Sequence, residues 1–186
     1  MNDLEKLAVK YGTDKYGKHH YTDVYYDLFK DKRETVKKVL EIGIAEGASL
    51  KMWRDFFPNA LIYGADNDKE RVENLQGEDQ IYVFKCDQSK ENDLLNMLDD
   101  ILPGPNDLDL IVDDGSHKPE DQISTCLTLL KTNALRYGNT LYVIEDVADE
   151  NVARELIKGL PGFYVNVKKV GKRYDDRLLI VGKING

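Results

Sequence analysis

The chain has 186 residues, enough for one globular domain with a substantial core. Its formal net charge of -8 argues against a general nucleic-acid binder, because phosphates reward clustered Lys and Arg. No apolar run approaches the length of about 18 residues that a membrane-spanning helix needs, and two cysteines are too few for a disulfide framework. We therefore expect a cytoplasmic protein with reduced thiols. Its expected partners are small molecules or cations, with no nucleic acid and no membrane among them.

The first 35 residues precede any strand-like run and predict a helical prefix, with the main domain at 36–186. Tyr21, Tyr25 and Phe29 are spaced four apart, so they share one face of a helix. On composition alone this segment is a surface helix packed through its aromatic side chains. An exposed aromatic prefix could also serve a homo-oligomer interface.

Short, nearly continuous apolar runs then alternate with longer segments of helical period. The runs lie at 38–43, 61–66, 81–87, 108–114 and 140–146. The segments between them predict helices at 48–57, 69–75, 90–100, 119–135 and 149–160. Continuous apolarity is typical of strands that are covered on both faces, as in a parallel sheet.

Two of these helices have a predicted buried face. In the first, Trp53 lies at helical spacing from Leu50 and Phe57, which indicates a core position. In the helix at 119–135, the spacing predicts a buried face of Ile123, Leu127, Leu130 and Ala134.

The end of the chain follows a different pattern. Two alternating runs at 163–170 and 177–183 flank a polar turn and leave no room for a helix, so they predict an antiparallel hairpin. The whole pattern predicts an α/β fold: a Rossmann-like, doubly wound sheet of seven strands, five parallel plus a C-terminal antiparallel hairpin.

The first strand runs into "LEIGIAEGAS", where Gly43 and Gly47 flank a tight strand-to-helix turn. Glycine lets the backbone approach a ligand closely, and the helix N-terminus offers free N–H groups. The G-x-x-x-G spacing departs from the G-x-G-x-x-G of nicotinamide dinucleotide sites. Glu41 would repel a pyrophosphate and suits a ligand with a cationic amine and sulfonium. A glycine-rich turn without a ligand is the alternative.

Acidic residues close the next two strands. Asp66 could accept both ribose hydroxyls of a nucleoside, and Asp87 with Gln88 could meet an adenine amino group. Each aspartate alone could equally be a loop or cap residue. Because ligands of open α/β sheets bind at the carboxyl ends of the strands, the acidic rim predicts a nucleoside site.

These motifs resemble a known family. The stretches "EIGIAEG", "YGADND" and "CDQ" are similar to the first three motifs of class I S-adenosylmethionine-dependent methyltransferases. Together, "YGTDK", "HHYTDVYYDLF", "IVDDGSH" and "VIEDV" resemble the metal-dependent sugar O-methyltransferases of the macrocin and mycinamicin type and their cephalosporin-hydroxylase-like relatives. The resemblance covers roughly residues 11 to 150.

The resemblance implies S-adenosyl-L-methionine as cofactor and a set of residues around it. That set is Thr13, Lys15, Glu41, Gly43, Ala45, Gly47, Asp66, Asn67, Asp87, Gln88 and Asp113. The prefix is implied to form a flap, in which Lys15 pairs with the cofactor carboxylate. His19, His20 and Tyr21 are implied to line the acceptor side.

Carboxylates also close the fourth and fifth strands, at Asp114, Glu145 and Asp146. These strand ends are neighbours in a doubly wound sheet, and three converging carboxylates repel one another unless protonated or bridged by a cation. Hard oxygen ligands favour Mg²⁺, and the resemblance implies the same three residues as metal ligands. His117 could take a hydroxyl proton as general base, or it could cap the helix.

The sequence therefore predicts a Mg²⁺-assisted O-methyltransferase acting on a hydroxyl of a sugar-like or natural-product metabolite. Three alternatives remain open at this point. They are a metal-free methyltransferase of another acceptor class, a nicotinamide-dependent oxidoreductase, and a non-catalytic nucleoside-binding module.

Overall fold

The fold is described from a computed structural model that covers residues 1–102, 108–132, 134–135, 140–148, 151, 153–154, 158 and 164–182. The helices are α1 (Asp3–Tyr11), α2 (Thr22–Phe29), α3 (Ala48–Phe56), α4 (Lys69–Asn74), α5 (Glu91–Ile101) and α6 (Pro119–Lys131). The strands are β1 (Lys38–Ile42), β2 (Leu61–Asp66), β3 (Ile81–Lys85), β4 (Leu110–Asp113), β5 (Leu141–Ile144), β6 (Tyr164–Lys169) and β7 (Arg177–Gly182).

The strands form one sheet in the order β3-β2-β1-β4-β5-β7-β6. Strands β1 to β5 pair in parallel, whereas β7 is antiparallel to both β5 and β6. The predicted fold class is confirmed, including the hairpin. The order in which the strands are added reverses between β1 and β4, so the loops that follow these two strands diverge and leave a crevice.

The register brings the carboxyl ends of the central strands to one level. Ile42 at the end of β1 pairs with Ala65 on one side and Asp113 on the other, and Asp113 pairs with Ile144. The residues that follow these partners therefore meet at one edge of the sheet. This edge receives the loop after β1, the acidic end of β2, and the carboxylates after β4 and β5.

Helices cover both faces of the sheet, so it has two cores. On one face α1, α2 and α3 pack over β1 and β2, and Trp53 is fully buried there with Leu50 and Phe57, as predicted. On the other face α5 and α6 pack through Leu94, Met97 and Cys126. Cys86 and Cys126 are buried free thiols.

The prefix packs into the same core as the strands. Tyr21, Tyr25 and Phe29 share a face, as predicted, and they are 0%, 0% and 2% exposed. Leu4 and Ala8 of α1 are buried in that cluster as well. The aromatic face that could have formed an oligomer interface is therefore covered by this chain itself.

The helix predicted at 119–135 differs from the structure in its length and in one residue of its predicted buried face, since Ile123, Leu130 and Ala134 do pack against the core. It ends at Lys131, and the Thr132 hydroxyl donates to the carbonyls of Thr128 and Leu129 at this end. Leu127, predicted to be buried, is 42% exposed, whereas Gln122 and Thr125 are buried.

The helix predicted at 149–160 lies largely outside the described residues. Within the described part of the chain, none of the helices has the length and apolarity needed to cross a bilayer.

Candidate active site

A cavity of about 510 Å³ opens at the carboxyl ends of β1 to β4. Its volume is in the range of small-molecule sites, and its position is the crevice expected for this topology. Among the predicted site residues, Gly43, Ala45, Asp66, Asn67, Asp87, Gln88, Asp114 and His117 line it.

The loop after β1 depends on glycine for its path. Gly43 has a φ of +85°, and a Cβ at this position would lie 2.0 Å from the carbonyl oxygen of Asp114. Gly47, just before α3, has a φ of +77°, and a Cβ at this position would lie 2.5 Å from the Leu75 side chain. These two glycines therefore allow the turn after β1 to pack closely against neighbouring segments beside the cavity.

Asp66 holds this loop in place. Its Oδ2 accepts from the amides of Ile44 and Ala45, at 3.1 and 3.3 Å, and its Oδ1 accepts from the amide of Asp68. The carboxylate is 6% exposed, so only its edge faces the cavity. Arg71 lies 3.6 Å from it at the rim.

Two polar residues from the end of β3 form the next part of the wall. Asp87 accepts from the amide and hydroxyl of Ser89 and pairs with Lys90, and these contacts lower its pKa to about 2. Gln88 donates to Asp113 at 2.6 Å and accepts from the amide of Ser116 at 2.9 Å.

Asp113 lies behind Gln88 and is 1% exposed. Its carboxylate also accepts from the Tyr142 hydroxyl at 2.8 Å, and burial raises its pKa to about 6. Asp113 therefore orients Gln88 from below and does not line the cavity.

Lys15 reaches into the sheet edge from the prefix. Its ammonium lies 2.7 Å from Asp114, 2.7 Å from Glu145 and 3.0 Å from Glu41, and its side chain is 1% exposed. Burial opposes the charge on this ammonium, but the three carboxyl groups outweigh it and raise the pKa of Lys15 well above its usual value. Thr13 accepts weakly from the Lys15 amide.

Two buried glutamates complete this acidic cluster. Glu145 accepts from the Tyr25 hydroxyl at 2.6 Å, and burial raises its pKa well above the usual range. Glu41 accepts from the Trp53 indole at 3.2 Å, and burial raises its pKa too. Neither glutamate lines the cavity.

Asp114, His117 and Asp146 form a second group, closer to solvent. His117 Nε2 lies 3.1 Å from Asp114 Oδ1, and His117 Nδ1 lies 3.5 Å from Asp146 Oδ2. Burial opposes ionisation of Asp114, but Lys15 and His117 lower its pKa to about 2. The hydrogen bond to Asp114 raises the pKa of His117.

The backbone at this second group is unusual. His117 and Asp146 have φ values of +58° and +52°, a region that residues with side chains rarely occupy. Such conformations occur at functional sites, where the surrounding structure must hold them.

The other oxygen of Asp146 is held from the prefix. The Tyr21 hydroxyl donates a hydrogen bond to Asp146 Oδ1, and His19 Nδ1 lies 3.4 Å from the same oxygen. His19 also lies 3.0 Å from Asp176, a buried residue of the turn between β6 and β7. The prefix thus joins the candidate metal carboxylate to the C-terminal hairpin.

The arrangement fits a divalent cation. Asp114, His117 and Asp146 each offer one ligand atom, and these atoms lie within 4.8 Å of one another. Carboxylate oxygens suit Mg²⁺, although an imidazole ligand would favour a softer ion. The cavity beside them, with its close backbone approach and polar wall, fits a nucleoside cofactor.

The structure places several donors that the sequence pattern did not predict. Tyr25 contacts Glu145, Trp53 contacts Glu41, and Tyr142 contacts Asp113. The density of tyrosine in the prefix was the available signal for the first of these. That density indicated aromatic packing, and the structure shows in addition that the Tyr25 hydroxyl donates a hydrogen bond to Glu145.

Comparison with known proteins gives clear relatives. The chain is 36% identical over 152 residues to 8-demethyl-8-alpha-L-rhamnosyl tetracenomycin-C 2'-O-methyltransferase of Streptomyces olivaceus, covering 77% of this chain and 37% of that protein. It is also 36% identical over 154 residues to mycinamicin VI 2''-O-methyltransferase of Micromonospora griseorubida, covering 78% and 36%. The chain thus spans little more than a third of the length of these relatives.

A solved structure agrees with these relatives. The MycE methyltransferase from the mycinamycin biosynthetic pathway, in complex with Mg, SAH and mycinamycin VI, superposes with a TM-score of 0.63 at 28% identity, over 98% of this chain and 48% of that one. No family model matches the chain. The resemblance stated from the motifs is confirmed.

Proposed function

We propose, from the premise that this chain is a relative of the sugar O-methyltransferases, that it transfers the methyl group of S-adenosyl-L-methionine to a hydroxyl of a sugar-like or natural-product metabolite, with the assistance of Mg²⁺. The observation that carries this proposal is the Asp114–His117–Asp146 group, of which Asp114 and His117 line the cavity. Its chemistry suits a hydroxyl acceptor, and the cavity beside it suits the methyl donor.

The cofactor residues fall into a lining set and a supporting set. We assign direct contact to Gly43, Ala45, Asn67 and Gln88, with Asp66 and Asp87 at the ribose and adenine side. The supporting residues lie behind this lining and hold it in place. They are Thr13, Lys15, Glu41, Gly47 and Asp113.

For the metal, Asp114 and Asp146 are the proposed ligands that face His117, and Glu145 is the third ligand predicted from the sequence. When bound, the cation would orient neighbouring hydroxyls of the acceptor and lower the pKa of the one that reacts. The buried tyrosines and Lys15 keep these carboxylates fixed, so that the site does not have to form during binding.

His117 is the proposed general base. Its imidazole would accept the hydroxyl proton as the acceptor oxygen forms a bond to the methyl carbon and the carbon–sulfur bond breaks. Asp114 holds the ring through Nε2, and it favours the imidazolium that results. The raised pKa of His117 makes it a stronger base than an isolated imidazole.

The proposed acceptor class rests on the relatives, whose names describe O-methylation of a rhamnosyl tetracenomycin and of mycinamicin VI. The test is methyl transfer by this protein to mycinamicin VI and to a rhamnosylated tetracenomycin, followed by mass spectrometry. We expect product with at least one sugar-bearing acceptor and its loss on adding a chelator. Turnover that survives chelation would indicate a metal-free enzyme.

Two further measurements separate the remaining alternatives. His117→Ala should lower turnover by about 100-fold or more while S-adenosylhomocysteine affinity in calorimetry stays unchanged. Binding of NAD in place of S-adenosylhomocysteine would contradict the proposed cofactor. Binding of S-adenosylhomocysteine without turnover on any sugar-bearing acceptor would favour a non-catalytic module.

A further inference from the structure

Gln88 joins two parts of the cavity wall. It lies just after β3, and in the sheet β2 and β1 separate β3 from β4. Its side chain nevertheless reaches the end of β4, where its Nε2 donates to Asp113 at 2.6 Å and its Oε1 accepts from the Ser116 amide at 2.9 Å. Gln88 is 5% exposed, so these contacts are shielded from water. One side chain therefore connects the side of the cavity assigned to the cofactor with the loop at 114–117.

The partners of Gln88 fix the orientation of its amide. A backbone N–H can only donate and a carboxylate can only accept, so Oε1 faces Ser116 and Nε2 faces Asp113. Turning the amide over would replace both hydrogen bonds by contacts between like groups. Asp113 is itself held, because its Oδ2 accepts from the hydroxyl of the fully buried Tyr142 at 2.8 Å. These three side chains thus form a buried chain of hydrogen bonds that ends at the Ser116 amide.

The loop that this chain reaches carries His117. Gly115 leaves room for Gln88 because it lacks a side chain, since a Cβ there would lie 2.1 Å from Gln88 Oε1. The Ser116 hydroxyl donates to Asp121 at 2.6 Å, which joins the loop to the first turn of α6. Asp121 belongs to the helix directly after the loop, whereas Gln88 comes from the end of β3. Gln88 therefore fixes the loop against a different part of the cavity wall.

His117 has a backbone conformation that depends on such support. Its φ of +58° lies in the left-handed region, which residues with a side chain occupy only where surrounding contacts hold them there. Ser116 directly precedes His117, so a hydrogen bond to the Ser116 amide restrains the segment that sets the direction of the imidazole. That imidazole lines the cavity.

We propose that Gln88 is a positioning residue for His117. Tyr142 acts on the same imidazole, through Asp113 and Gln88. The inference rests on the proposed function, in which His117 is the general base, and it adds the residues that hold this base towards the cavity. It gives Gln88 a second role beside its assigned contact with the cofactor. Such support matters because a small displacement of a reacting group lowers the rate substantially.

The first measurement is hydrogen exchange of the Ser116 amide in the full chain and in two variants. Gln88→Met keeps the length of the side chain but removes its donor and acceptor, and we expect it to raise the Ser116 exchange rate by about tenfold. Tyr142→Phe removes only a hydroxyl that does not line the cavity, and we expect a rise of about threefold. The Cys86 amide, which donates to the Asp66 carbonyl at 2.9 Å, should keep its exchange rate in both variants.

The double variant tests whether Tyr142 acts through Gln88. If both belong to one chain, adding Tyr142→Phe to Gln88→Met should leave the Ser116 exchange rate within about a factor of two of that in Gln88→Met alone. Independent contributions would multiply to about 30-fold and would overturn the chain. Gln76→Met is the matched control, because it makes the same change at an exposed glutamine, and it should alter neither the Ser116 nor the Cys86 exchange rate.

The position of the imidazole needs a measurement of its own. The ring C–H signals of the three histidines can be followed by NMR, and the signal of His117 is the one that disappears in His117→Ala. We expect Gln88→Met to shift and broaden this signal. The signal of His19, a buried ring of the prefix, should stay in place.

These measurements need no acceptor, so they separate this inference from the proposed function. An unchanged Ser116 rate in Gln88→Met would overturn it, and so would an equal rise at Cys86, which indicates general destabilisation. A raised Ser116 rate with an unmoved His117 signal would show that Gln88 does not position the imidazole. If the expected results are found but His117→Ala keeps full methyl transfer, the proposed general base fails while the positioning of His117 stands.

Discussion

Gly43 shows how a single residue fixes the distance between two strands at the cavity. Because Gly43 has no side chain, the loop after β1 can pack against the backbone of Asp114 and Gly115, which follow the neighbouring strand β4. Because these neighbours are backbone atoms, they cannot rotate away as a side chain could. A methyl group at Gly43 must therefore move one loop or the other.

We predict that Gly43→Ala lowers the free energy of unfolding more than Gly77→Ala does. Gly77 has a comparable φ of +83° but open space around it, so its substitution carries only the conformational cost of about 1 kcal/mol. Gly43→Ala adds the clash with Asp114, and we expect a loss of about 3 kcal/mol in urea unfolding. Equal losses would show that the clash relaxes without cost.

Individual roles at the site were predictable where a residue follows a strand, and unpredictable where it comes from the prefix. Asp66, Asp87 and Asp114 meet at one edge because the parallel register requires it. Lys15 was implied to pair with the cofactor carboxylate, which stays a prediction; in the structure its ammonium contacts carboxyl groups of the protein itself, which the sequence did not predict. Sequence spacing gives no register for a segment outside the sheet, so its partners cannot be derived from it.

At the scale of elements, the Asp55 carboxylate of α3 contacts two side chains of α1. Asp55 accepts from Lys10 and Tyr11 at 2.7 and 2.5 Å, and it pairs with Arg54 as well. Burial opposes its ionisation, but these partners lower its pKa to about 2. The ionised carboxylate is therefore favoured in the folded state.

This contact makes a pH-dependent prediction. A depressed folded pKa contributes stability that is present above the unfolded value of about 4 and is lost as pH falls towards 2. Asp55→Asn should thus cost about 1 kcal/mol at pH 7, and the difference from the unmodified protein should shrink below pH 4. Denaturant unfolding across this range checks it, and a constant difference would contradict the linkage.

Helix α6 shows why the face of an element is harder to predict than its existence. Pro119 and the acidic first turn mark its start correctly. Of the predicted face, Ile123 and Leu130 pack partly buried against the core but Leu127 is exposed, because the fully buried side of the helix carries Gln122 and Thr125. Gln122 donates to the Glu145 carbonyl, so a polar residue is buried where the helix supports the site.

On the scale of the whole molecule, the sheet was predictable because each parallel strand is an unbroken apolar run and the final hairpin leaves no space for a helix. The packing of the prefix into the same core as the strands was not predictable from the sequence. Residues 1–35 were predicted as a flap over a self-contained domain, a division that stays a prediction. The structure packs Leu4, Tyr21 and Phe29 into one core with the strands.

We therefore predict that deletion of residues 1–35 abolishes cooperative unfolding. The deletion uncovers the apolar face of α3 and β1, and it removes Lys15 from beneath Glu41 and Glu145, which leaves buried acidic groups without their cation. Circular dichroism during urea titration is the measurement. A shortened chain that unfolds as sharply and still binds S-adenosylhomocysteine would instead support a separable flap.

The position of Trp53 has a practical consequence. It is the single tryptophan of the chain, it is wholly buried, and its indole N–H points at Glu41, which in turn touches Lys15. Indole fluorescence responds to nearby charge, so the emission colour of this one ring reports on the ammonium two contacts away. We therefore expect changes in charge at this acidic cluster to shift the fluorescence of the unlabelled protein.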